Sequence, residues 1–186
     1  MGSKHTETGS NFEQPRTPAA DAPRHLQIRI GADGTWYYRG TPIPRIAMVR
    51  LFASVLRRDD QGRFWMVTPA ERGLVDVDDA PFAAVELSWR AGADPGGRDD
   101  VIDFRTNVDD RVECGSDRPL RVVVDGDTGR PRPYVMVRDG LEARLTRSVF
   151  LELAELARER DINGERVLGV WSRGTFFVLG PADIEC

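Results

Sequence analysis

One order of elements occurs twice in this chain, and that recurrence constrains its fold more than any other feature. Residues 26–30 alternate apolar and polar positions as a half-buried strand does. Ala32-Asp33-Gly34-Thr35 is a hairpin turn signal, and 36–39 returns as a second strand that Gly40 and Pro42 end. Pro44 then opens a helix, where its missing N–H costs little. Met48, Leu51, Phe52, Val55 and Leu56 fall on one helical face, and Asp59-Asp60-Gln61-Gly62 stops it. A closing hairpin follows at 64–67 and 74–77. The second occurrence runs from a strand at 120–124, through the turn 125–129 and a strand at 134–138, to a helix with Val149, Phe150, Leu153, Leu156 and Ala157 on one face. Asp161-Ile162-Asn163-Gly164 stops that helix, and a hairpin over 167–179 closes the unit.

Arginine spacing reinforces the repeat. Arg39 and Arg45 span the first strand-to-helix junction, Arg138 and Arg144 the second, and both pairs are six residues apart. An internal duplication relating 26–77 to 120–179 is therefore expected. The fold class is α+β: two related hairpin–helix–hairpin halves packed together, sharing a core because neither buries both its faces alone. Residues 1–25 form an aperiodic polar tail, expected to be disordered. The N-terminal half is 26–119, made of the repeat 26–77 plus an extra hairpin over 78–119. The C-terminal half is 120–186.

Composition narrows the chemistry. The chain has 186 residues, 40% hydrophobic and 30% charged, with a formal net charge of −4. That balance gives no general attraction to nucleic acid or to an anionic membrane. Its apolar runs are shorter than the roughly 20 residues of a membrane span, and no secretory leader is visible. A soluble, cytoplasmic protein is expected. The two histidines, His5 and His25, lie in or beside the tail, so His-based triads and His-ligated zinc are not expected in the folded part. The two cysteines, Cys114 and Cys186, suggest no disulfide framework, and Cys114 has no His partner to activate it. No cofactor is expected.

Motifs of known chemistry are few. Neither phosphate-binding Gly-rich signature occurs. Asp127-Thr128-Gly129 has the form of an aspartic-protease triplet but no counterpart in the first half, and Arg130-Pro131-Arg132-Pro133 follows it directly. It reads as a turn. Asp76, Asp78 and Asp79 could hold Mg²⁺ but read more simply as a solvated strand end. Trp36, Trp65, Trp89 and Trp171 lie in apolar strands, and Trp171, at a turn beside Arg173, could also stack on a base.

The short motifs Asp33-Gly34-Thr35-Trp36, Gly40-Thr41-Pro42-Ile43-Pro44-Arg45, Asp79-Ala80-Pro81-Phe82, Arg105-Thr106-Asn107, Pro133-Tyr134-Val135-Met136-Val137-Arg138 and Gly169-Val170-Trp171-Ser172 occur in an order that resembles domain-of-unknown-function family 1285 of proteobacteria. The resemblance runs from about 26 to 180. It implies a duplicated core, a second half superficially like a pleckstrin-homology fold, a site between the halves, a nucleotide-like ligand and a role in signalling.

The residues point to a binding module, not an enzyme. The candidate ligand set is Arg45, Arg105, Asn107, Arg138, Arg144 and Trp171, converging on a cleft between the halves. Arginines at predicted helix N-termini attract a small anionic or nucleotide-like ligand. The alternative for each arginine is an internal acid such as Asp139 or Glu142. Two other readings stand beside this one: a protein-interaction scaffold, and an enzyme working with Arg and carboxylates alone.

Overall fold

The computed structural model describes residues 23–182, so the expectations for the tail up to residue 22, His5 and Cys186 lie outside the described residues. Among the described residues, fifteen strands and two helices follow in the order three strands, helix, nine strands, helix, three strands. The fold is mixed α+β and mostly sheet.

The first unit holds β1 (His25–Ile30), β2 (Trp36–Tyr38), β3 (Thr41–Pro42), α1 (Ile46–Ser54), β4 (Leu56–Arg58), β5 (Phe64–Val67) and β6 (Arg72–Val77), in one sheet ordered β3-β2-β1-β6-β5-β4. The next sheet adds β7 (Phe82–Arg90), β8 (Val101–Thr106), β9 (Arg111–Glu113), β10 (Leu120–Val124), β11 (Pro131–Arg138) and β12 (Leu141–Leu145), ordered β10-β11-β12-β7-β8-β9. After α2 (Arg147–Glu155), a third sheet comprises β13 (Arg158–Ile162), β14 (Glu165–Ser172) and β15 (Thr175–Pro181).

The two six-stranded sheets are built alike. Each joins two antiparallel three-stranded runs through a single parallel pair, β1 with β6 and β12 with β7. The arrangement is duplicated, and three strands, a helix and three strands recur in order. The pairing of the repeats differs. In the first unit the opening and closing strands pair, whereas β10 and β15 approach one another without a ladder and β13–β15 stand as a separate sheet. The hairpin over 78–119 is hydrogen-bonded into the second sheet, through β7 on β12.

Both helix stops differ from the sequence reading. Asp59–Gly62 does not stop a helix; it turns β4 into β5, with Gly62 at φ 79°. Asn163 (φ 56°) and Gly164 (φ 85°) make the same kind of turn between β13 and β14. Gly40 and Gly140 lie just past the ends of β2 and β11, where the sequence reading breaks those strands. Arg39-Gly40 and Asp139-Gly140 are hairpin turns, and all four residues have positive φ as a twisted two-residue turn requires. Each turn hides one extra strand, β3 or β12, ahead of its helix.

The helix face was also read in the wrong rotation. α1 buries Val49 and Ala53, while Met48 is 40% and Leu51 is 64% exposed. Leu56 is fully buried, but on β4. α2 buries Val149 and Leu153, and its cap is sequence-encoded: the Thr146 hydroxyl accepts from the Val149 N–H.

A single apolar cluster runs through the molecule, from Ile30, Trp36 and Leu56 to Phe82, Phe104, Leu141, Leu153 and Val170. The shared core has a glycine-dependent junction. Gly34 sits at φ 81°, and a Cβ there would lie 2.8 Å from Asn107 Nδ2 and 3.1 Å from Ala83 Cβ. Only glycine gives both that conformation and that approach.

Candidate functional site

Three of the six candidate residues meet at the turn between β8 and β9, where the first unit touches the second. Asn107 donates from Nδ2 to the Gly34 carbonyl at 2.9 Å and accepts from the Ala83 N–H at 3.1 Å. Arg105 donates to Glu86 at 2.6 Å and to Asp109 at 2.9 Å. Arg50 of α1 also pairs with Asp109. Arg138 pairs with Asp110, donates to the Ala53 carbonyl at 2.9 Å, and lies over the Phe82 ring at 5.1 Å. A cation on the last carbonyls of α1 opposes the negative end of the helix dipole. These side chains fasten the units, and internal acids neutralise both guanidiniums.

Arg144, Arg45 and Trp171 lie elsewhere. Arg144 is on β12 instead of at a helix start, and donates from Nη1 to Asp79 Oδ2 at 2.7 Å. Tyr134 donates its hydroxyl to the other Asp79 oxygen at 2.7 Å. Burial and that bond to Asp79 together raise the phenol's pKa. Arg45 is exposed at the N-cap of α1 with no side-chain cap bond. Trp171 is half-buried, with the guanidiniums of Arg98 and Arg160 over its ring, each 5.1 Å from the centroid. Of the acidic group at the end of β6, Asp78 pairs with Arg29, Asp76 faces His25 at 3.8 Å, and Asp79 is held as above.

The cleft between the units is charge-balanced. A cavity of about 300 Å³ there is lined by Arg58 and Phe64 from the first sheet and by Asp79, Arg121, Tyr134 and Glu142. Arg121 donates twice to Glu142, at 2.6 Å each, and stacks over Tyr134 at 4.5 Å. The Glu142 hydrogen bonds raise the Arg121 pKa further.

A basic site does occur on the second unit, beyond that cleft. Four arginines, Arg130, Arg132, Arg144 and Arg147, line a cavity of about 620 Å³ with no carboxylate among its lining residues. Pro131, Pro133, Leu145, Phe150 and Leu151 supply apolar wall. Arg132 pairs with Asp125 and Arg144 with Asp79, both reached from outside the cavity. Arg130 and Arg147 have no acid partner among the described residues. The geometry follows from register. Tyr134 stands opposite Arg144 across β11 and β12, so Arg132, two residues along, shares their face. Arg147 is the first residue of α2, beside unpaired first-turn N–H groups. Sequence reading found Arg144 and missed the other three. The signal was Arg130-Pro131-Arg132-Pro133, where prolines hold the strand entry extended and leave the arginines out of the core.

Cys114 is fully buried, and desolvation pushes its thiol up to about 12. Among the described residues, no three His, Cys, Asp or Glu side chains gather as metal ligands would, and no helix is long and apolar enough to cross a membrane.

Fold and site together describe a two-unit α+β protein with a shared core and an arginine-lined cavity on its second unit. Residues 18–80 match the N-terminal domain, and 81–179 the C-terminal domain, of the protein family of unknown function DUF1285. The chain belongs to that family. It is similar to a DUF1285 protein of Silicibacter pomeroyi DSS-3 at 41% identity and a TM-score of 0.77, covering 91% of each chain. A DUF1285 protein of Shewanella baltica OS155 shares the fold, with 24% identity and a TM-score of 0.52 over 70% of this chain and 92% of that one. No curated protein matches the chain.

Proposed function

We propose that the protein is a binding module for a small phosphorylated anion, seated in the cavity of Arg130, Arg132, Arg144 and Arg147. The observation that carries this reading is four guanidiniums around one cavity whose lining holds no carboxylate. Two of them, Arg132 and Arg144, are paired with acids outside the lining, and the other two, Arg130 and Arg147, repel one another, a cost that an anion between them removes. Planar guanidiniums give phosphate bidentate donors, and the α2 N-terminus adds partial positive charge. Phe150, Leu151 and the two prolines offer apolar surface for a ring, which favours a nucleotide-like ligand over bare phosphate. The charge-balanced cleft between the units offers no such attraction.

In this reading the protein senses a ligand without transforming it, in the manner of a signalling module. The pleckstrin-homology likeness of the second unit belongs to the same proposal. It draws support from the pairing of a six-stranded with a three-stranded sheet around one helix. The test is a thermal-shift panel of phosphate, pyrophosphate, nucleotides and dicarboxylates. Phosphorylated compounds are expected to raise the melting temperature of the wild type and not of Arg130→Ala/Arg147→Ala. A panel without such shifts overturns the reading.

A second reading, a protein-interaction scaffold, draws on a different observation. Met48 and Leu51 of α1, three residues apart, are 40% and 64% exposed, a short apolar strip on one face of the helix.

A further inference from the structure

Beside that strip lies an open cavity of about 740 Å³, bordered by the start of β1, the β2–β3 hairpin and α1. Its volume is in the range of roughly 300–1,000 Å³ usual for small-molecule sites. Its apolar lining includes Leu26, Ile43, Met48, Phe52 and Met66. Two methionines and a phenylalanine make a wall that adapts to the shape of an apolar guest.

Backbone geometry at the rim is unusual. Gln27 lies within β1 at φ 56°, and the β1–β6 ladder loses register between His25 and Arg29 around it. Arg39, at φ 51°, is bonded to it twice: its N–H donates to the Gln27 carbonyl at 2.9 Å, and its Nε to Gln27 Oε1 at 2.7 Å. Non-glycine residues adopt this conformation at a cost, which persists where surrounding contacts fix it. The result places one guanidinium at the rim of an apolar cavity.

Arg39 is incompletely used. Gln27 takes Nε, the Tyr38 ring lies 5.2 Å from the guanidinium carbon, and no acid among the described residues pairs with it. Both terminal nitrogens are left for a ligand. The other charges at the rim are matched, since Arg24 donates to Glu71 at 3.3 Å. Beneath the wall, Trp36 packs on Phe52 with ring centroids 6.5 Å apart, and its buried indole N–H has no acceptor among the described residues.

We infer that this cavity binds a small amphipathic monoanion: an apolar ring or short acyl body against Met48, Phe52 and Met66, with one carboxylate end-on to Arg39. A single unspent guanidinium and an apolar lining suit one carboxylate, whereas the four-arginine cavity suits a more highly charged group. The two sites share no residue, so either can fail alone.

The probe is decanoate, titrated calorimetrically into the full chain with decanol as the uncharged counterpart. Decanoate is expected to saturate one site and to bind roughly tenfold or more tighter than decanol. Arg39→Gln should remove most of that difference. Met48→Trp, at a residue 40% exposed and so free to enlarge, should fill the cavity and block both compounds. Circular dichroism would confirm that both variants are folded. No saturable decanoate binding overturns the proposal, as does equal affinity for decanol, or binding indifferent to Arg39→Gln or Met48→Trp.

Discussion

Asp79 divides its two carboxylate oxygens between the Arg144 guanidinium and the Tyr134 hydroxyl, each at 2.7 Å. This acid stands at the junction of the two units and holds one of the four arginines of the basic cavity. Replacing it should therefore move stability and anion affinity in opposite directions. Asp79→Asn is expected to cost about 1–3 kcal/mol of unfolding free energy, by loss of a partly buried ion pair. It should also tighten pyrophosphate binding roughly threefold or more, by freeing Arg144. Urea denaturation and calorimetry on the same variant check both signs.

Gly34 tests the junction from its other side. Gly34→Ala forces a Cβ against Asn107 at a φ that disfavours side chains. A loss of about 1–3 kcal/mol is expected by urea denaturation. Asn107→Ala should recover part of it, because the nearest clash is with Asn107 Nδ2.

The β4–β5 turn should contribute to acid sensitivity. Burial pushes the Asp59 carboxyl up, but hydrogen bonds from the Trp65 indole and from the Arg63 N–H and guanidinium outweigh it and hold the pKa at about 2. A depressed folded value means that the stabilisation is complete above the ordinary Asp value of 3.8 and is lost as pH falls from there toward 2. Tryptophan fluorescence followed across that range should show the wild type losing stability more steeply than Asp59→Asn.

The Cys114 thiol, buried and pushed up to about 12, should resist alkylation in the native protein at pH 8. Iodoacetamide labelling mapped by mass spectrometry should modify it only under denaturing conditions. Native labelling at Cys114 would show that the β9 region opens.

The repeated order of strands and helices was legible because hairpin turns and apolar periodicity are local signals. The extra strands β3, β4, β12 and β13 were not. Each is short or adjoins a helix, so residues such as Val55 and Leu56 continue a helical spacing by chance while their backbone pairs in a sheet. Pairing was beyond local reading as well: nothing within 120–145 tells β12 to join β7 in place of a strand of its own repeat. Arg138 and Arg105 illustrate the same limit at the site. Spacing from Arg144 marked Arg138, and the Arg105-Thr106-Asn107 run marked Arg105, but their partners Asp110 and Glu86 are fixed only by the folded sheet. Arg130 and Arg132 were visible as a Pro-spaced pair, and their convergence with Arg147 depends on where α2 begins.

Calorimetric titration of pyrophosphate into the full chain, repeated with Arg130→Ala/Arg147→Ala, tests the central claim most directly. Both arginines lack an acid partner among the described residues, so their loss leaves no buried carboxylate behind. The account predicts saturable one-site binding to the wild type, weakened on the order of a hundredfold or more in the double variant, with unchanged unfolding midpoints. Absence of binding to the wild type, or equal binding to both proteins, would contradict it.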